Sequence, residues 1–95
     1  MRQFATIEIA KGGSYAVAFD YDLPAEMIGA KLMMAIKPQT GSVINLEAQD
    51  GVVTINSATT ASLPVGKNAY QIYFLVGTEK YYQCDISTLL VKEVV

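Results

Sequence analysis

Apolar and polar residues alternate along most of this chain. Over residues 14–21, Tyr15, Val17, Phe19 and Tyr21 fall on one side of an extended backbone and Ser14, Ala16, Ala18 and Asp20 on the other. That period of two predicts a β-strand. Tyr70, Ile72, Phe74 and Val76, with Gln71, Tyr73 and Leu75 opposite, repeat it. Apolar bulk on both faces places these two segments at the centre of a sheet. Residues 4–10, 30–37, 42–48, 52–56, 80–86 and 89–95 bring the expectation to about eight strands, with turn formers at Gly12-Gly13, Leu23-Pro24, Gly29, Gly41, Asp50-Gly51, Pro64-Val65-Gly66 and Gly77-Thr78. The resulting rhythm is that of an all-β sandwich or barrel. Asp50-Gly51 predicts a hairpin, because both central positions of a type I′ turn need positive φ. Two places favour helix. Residues 24–34 contain good helix formers behind Pro24, but Gly29 and the alternation of Leu32, Met34 and Ile36 limit them to one turn before a strand. Residues 57–62 predict a short turn capped by Ser57 and closing into Leu63-Pro64.

Composition narrows the function classes. Ninety-five residues make one domain, 1–95, and a chain that is 52% hydrophobic and 17% charged has enough apolar material to fold. Nine acidic against seven basic side chains give a net charge of -2, which argues against a nucleic-acid partner. With no histidine and one cysteine, His-based triads, His metal cages, intrachain disulfides and Cys-cluster zinc sites are all excluded. Residues 1–8 hold no apolar run of signal-peptide length, since Thr6 and Glu8 interrupt them. Residues 30–36 contain Lys31 and fall well short of the roughly 20 residues that cross a bilayer. The expectation is a soluble protein made in a cytoplasm, with no membrane partner.

The candidate chemistry is sparse. Asp20, Asp22 and Glu26 lie close together after a predicted strand, a donor set that suits Ca²⁺, but their spacing matches no EF-hand and a plain solvated polar turn is the favoured reading. Carboxylate pairs for glycoside hydrolysis arise by chance among nine acids, and little here would build a sugar cleft. Lys11-Gly12-Gly13-Ser14 lacks the spacing and following helix of a phosphate loop, and is expected to be a hairpin turn. Cys84, on one strand face with Tyr82 and Ile86, is expected to be a small buried apolar residue. Six tyrosines without a tryptophan suit either core edge and subunit interface or an adhesive, sugar-binding surface. Met27, Met33 and Met34 look like core filling, with Met33, on the face opposite Leu32 and Met34, marking a contact surface.

The order of motifs carries a resemblance. Lys11-Gly12-Gly13-Ser14 precedes an aromatic strand; Ala35-Ile36-Lys37-Pro38 leads past Gly41 to Asp50-Gly51-Val52-Val53-Thr54-Ile55. Then come Ala58-Thr59-Thr60-Ala61-Ser62-Leu63-Pro64-Val65-Gly66, Tyr70-Gln71-Ile72-Tyr73, and a last hydrophobic strand closing on Val91-Lys92-Glu93-Val94. Over nearly its whole length the chain resembles the small Ig-like β-sandwich domains of tailed bacteriophages and prophages, among them the amino-terminal domain of siphophage upper baseplate proteins. Thr60-Ala61-Ser62-Leu63-Pro64-Val65-Gly66 is the sharpest match, and Asn68 and Gln71 stand where the family often has Tyr and Asp.

The resemblance implies an Ig-like antiparallel β-sandwich of about seven to nine strands with one short helical turn. It further implies a non-enzymatic structural component of a phage or prophage particle, baseplate- or tail-associated and located in the virion. No catalytic residue, cofactor or metal belongs to the family pattern. The expected partners are copies of this chain and other phage structural proteins, joined by a buried apolar face or by edge-strand pairing. The carboxy-terminal Leu89, Leu90, Val91, Val94 and Val95 are expected at an edge or interface strand, with Met33 on a contact face. The competing expectation is a recognition module that binds a host-surface saccharide or protein through exposed tyrosines; coplanar rings around a groove would favour it and inward-packed ones the scaffold.

Overall fold

The computed structural model describes residues 4–18 and 29–93. Among them eight strands and one helix follow in order: β1 (Ile7–Ala10), β2 (Tyr15–Ala18), β3 (Lys31–Lys37), β4 (Ile44–Glu47), β5 (Val52–Ile55), α1 (Ser57–Ser62), β6 (Gly66–Val76), β7 (Glu79–Tyr82) and β8 (Ser87–Lys92). The fold is the expected all-β, sandwich-like one. Residues 19–28 lie outside the description, and with them the expected helical turn behind Pro24 and the acidic cluster of Asp20, Asp22 and Glu26.

The main sheet runs β1-β8-β6-β3-β4, with β7 also beside β6, and β2 and β5 form a separate two-stranded sheet. β6 organises the whole. One of its edges pairs with β3 from Lys37↔Ala69 to Lys31↔Leu75, while its other edge takes β8 over Gly66–Tyr70 and β7 over Tyr73–Val76. The even-numbered residues of β6 therefore face inward: Tyr70, Ile72 and Phe74 join Leu32, Met34 and Ile36 of β3 and Leu89 and Val91 of β8. Val53 and Ile55 of β5 and Leu63 after α1 complete the core from the other side, with Val17 of β2 packed against it. Burial of these side chains from water is the main stabilising contribution.

Four expectations need correction. First, the sheet is mixed, since β1 runs parallel to β8 while the other pairs are antiparallel. Second, residues 11–14 do not close a hairpin: β1 pairs with β8 and β2 with β5, so this turn, tied by Gly13 N–H to Ala10 C=O at 3.0 Å, hands the chain from one sheet to the other. Third, β2 is not central. Tyr15 is exposed and Val17 only half-buried, because the two-stranded sheet covers part of the core rather than forming its middle. Fourth, β8 is no edge strand, as β1 and β6 flank it.

The Asp50-Gly51 turn forms as expected, with φ of 53° and 79° and paired Gln49 and Val52 backbones. Beyond it, β4 and β5 part company into different sheets, because the alternation of each strand is satisfied by a different partner. The edges of the main sheet path are β1 and β4.

Candidate interaction face

Those of the expected interface residues that the structure describes do not gather on one surface. Leu89 and Val91 point into the core, fully buried by this chain's own strands. Leu90 projects from the opposite face of β8 and is half-buried, and Val94 and Val95 lie outside the described residues. Met33 alternates with Leu32 and Met34 onto the outer face of β3, as expected, opposite Tyr73 and Glu47.

That outer face carries an open groove of about 300 Å³. Its floor has a sequence cause. In register, Ala35 stands between Asn45 and Gln71, and Lys37 stands beside Ala69, so two methyl groups lie diagonally across β3 and β6 where their neighbours carry long side chains. The sheet surface dips there. Val43, Tyr82 and Ile86 form the apolar wall; Ile86 and Val43 are 59% and 50% exposed. Lys37 and Lys80 stand at the rim, and no carboxylate lines the groove among the described residues.

Beside it, Tyr73 is buried on this outer face beneath Tyr82 and Lys80. Its ring lies 5.5 Å from that of Tyr82 at 52°, and the Lys80 ammonium sits 5.3 Å from its centroid. The Tyr73 hydroxyl donates to Asn45 Oδ1 at 2.9 Å. Burial pushes the Tyr73 phenol above its ordinary range, with the neighbouring Tyr82 adding to the effect. On the core side, Tyr70 donates to the Ala5 carbonyl at 2.5 Å, and its phenol is raised by burial and then by Cys84 nearby, against a lowering contribution from Ser87. Cys84 is buried as expected, but not on a continuous strand with Tyr82 and Ile86. β7 ends at Tyr82, Gln83 N–H bonds Ile72 C=O at 2.9 Å, and the turn swings Cys84 into the core while Tyr82 and Ile86 stay exposed.

The sharpest sequence motif proves to be structural. Asn56, not Ser57, caps α1 through a 2.8 Å bond from Thr59 N–H to its Oδ1. The buried Thr60 hydroxyl donates to Gly13 C=O at 2.7 Å, Lys11 Nζ donates to Leu63 C=O at 2.6 Å, and Ser14 and Ser57 hydroxyls meet at 3.0 Å. Leu63 then anchors in the core. Thus the glycine turn and the helical turn, distant in sequence, lock together.

Asn68 completes a second lock that its residue type alone did not announce. Its amide accepts from Gln39 N–H at 2.9 Å and donates to Pro64 and Gly66 carbonyls at 3.0 and 3.3 Å. Among the described residues there is no group of three or more His, Cys, Asp or Glu side chains placed to hold a metal, and no helix long and apolar enough to cross a membrane.

No protein-family model and no curated protein sequence matches this chain. Solved structures do. The chain is similar to the N-terminal domain of phage TP901-1 ORF48, at 15% sequence identity and a TM-score of 0.51, covering 93% of this chain and 85% of that one. At that identity the shared property is the fold. That neighbour is a domain of a phage protein, the kind of domain that the order of motifs resembles.

Proposed function

We propose that this chain is a structural domain of a phage or prophage particle, baseplate- or tail-associated, that works by protein–protein assembly. The likeness in fold to a domain of a phage protein, spanning 93% of the chain, is the observation that supports the reading. Its partners are neighbouring structural proteins of the particle and copies of itself, and its place is the virion. The arrangement of tyrosines favours this over saccharide recognition. Tyr70 and Tyr73 pack into the protein, and although Tyr15, Tyr81 and Tyr82 are exposed, Tyr82 meets Tyr73 tilted rather than coplanar.

Mass spectrometry of purified particles from the phage or induced prophage that encodes the chain tests it. Recovery at fixed stoichiometry with tail proteins is expected. Absence from particles while the chain accumulates in lysed cells would refute the reading.

A further inference from the structure

The geometry points to the occupant of the groove: a short, extended, apolar peptide segment flanked by acidic residues, contributed by a neighbouring protein. This rests on the assembly reading and names the chemistry of its partner.

Three observations carry it. The first is shape. The groove crosses β4, β3, β6 and β7, three interstrand steps, or about 15 Å, which matches four to five residues of extended chain. Its floor is the two alanine methyls and its wall is aliphatic at Val43 and Ile86, so it takes small branched side chains. The second is charge. The carboxylates carried outward by the strands of this face are already matched, Glu8 with Lys92 at 3.0 Å and Glu47 with Lys31 at 3.9 Å. Lys37 and Lys80 at the rim, and Lys67 in the adjoining hollow, have no carboxylate partner among the described residues. A chain of net charge -2 thus presents a positive frame around an apolar floor, and acidic flanks complement it.

The third is backbone recognition. Asn45 Oδ1 is taken by Tyr73, which leaves its NH₂ group for a peptide carbonyl; Gln71 Nε2 is taken by Cys84 C=O at 3.2 Å, which leaves its carbonyl oxygen for a peptide N–H. One donor and one acceptor face each other across Ala35.

Amide chemical-shift mapping on the whole chain tests the proposal. The probes are a six-residue Val/Leu peptide with glutamates at both ends, the same core with lysines at both ends, and a set of neutral oligosaccharides. The glutamate-flanked peptide is expected to shift Ala35, Ala69 and Gln71, to bind more weakly as salt rises, and to lose about tenfold in affinity in the K37E/K80E double variant. Ala69→Leu, which fills the floor without touching the charges, is expected to abolish binding while melting like the parent. Equal binding of both peptides, shifts on another face, binding of a saccharide in the groove, or groove shifts that follow protein concentration alone would each overturn it. Particles that assemble normally with K37E/K80E would overturn the docking site yet leave the assembly reading standing.

Discussion

Asn68 is nine-tenths and more buried at the rim of the core, yet polar, and its removal offers the cleanest test of how the two loop turns are held. Asn68→Ala deletes three hydrogen bonds, one from Gln39 N–H and two to the carbonyls of Pro64 and Gly66. A typical bond contributes about 1 kcal/mol net, and a buried group left unpaired costs about 1–3 kcal/mol. Gln39 is exposed and Pro64 and Gly66 are half-buried, so water reaches part of what is orphaned and the lower end of that range applies. The expected loss is about 2–3 kcal/mol, or roughly 10–20 °C in Tm for a domain of this size. Asn68→Asp separates hydrogen bonding from packing. The aspartate keeps the acceptor for Gln39 N–H but turns a carboxylate oxygen on two carbonyls, which raises its folded pKa above the ordinary value of about 3.9. A folded pKa above the unfolded one means the penalty is full at neutral pH and shrinks as pH falls through the folded value. Thermal and urea melts from neutral to acid pH read both effects. Should Asn68→Leu or Asn68→Asp melt like the parent at neutral pH, the amide bridges contribute nothing net and the reasoning fails.

Other outcomes follow from the same packing. Leu63→Ala is expected to cost about 2–5 kcal/mol by opening a cavity in the fully buried core, measured by urea denaturation. Thr60→Val, which keeps the shape but drops the 2.7 Å bond to Gly13 C=O, is expected to cost about 1–2 kcal/mol, and Thr60→Ser less of the bond and more of the packing; equal stability of Thr60→Val and the parent would show the bond to be neutral. Tyr70 and Tyr73 have raised folded pKa values, so their contribution is intact below about pH 10, where unfolded tyrosines ionise, and fades as pH climbs through the folded values. Tyrosinate absorbance followed alongside melts is expected to show these two phenols ionising late and together with unfolding, and Tyr73→Phe is expected to blunt the alkaline loss.

How much of this was legible in the chain depends on what each residue touches. Alternation placed every strand to within a few residues, because a period of two is a local consequence of an extended backbone with one buried face. The capped turn at residues 57–62 was legible for the same local reason, though the cap fell one residue earlier, on Asn56. Pairing was not legible. Leu89 and Val91 read as an apolar strand, but nothing in them says that β1 will lie parallel along one side and β6 antiparallel along the other, which turns a supposed edge into interior. Gly12-Gly13 likewise reads as a turn without saying which sheet the chain enters next. Partner choice is a long-range property of matched core faces, and a single strand holds only half of each match.

The groove shows where site reading fails for a different reason. Its floor consists of Ala35 and Ala69, residues that carry no chemistry and gave no signal, and it exists only because register sets them diagonally between Lys37, Gln71 and Asn45. Among the residues that did draw notice, strand parity sends Tyr70 and Met34 to the core and Tyr73 and Met33 to the outer face, where Tyr82, the register partner of Tyr73, stands over it exposed. Asn68 and Gln71, which differ from the pattern of the family that the sequence resembles, are the instructive pair. Asn68 faces inward and holds the fold, whereas Gln71, three residues on and of opposite parity, faces the groove with a free acceptor. A departure at an inward position is compensated within the chain and leaves the fold intact. One at an outward position leaves the fold untouched and changes what the face can bind.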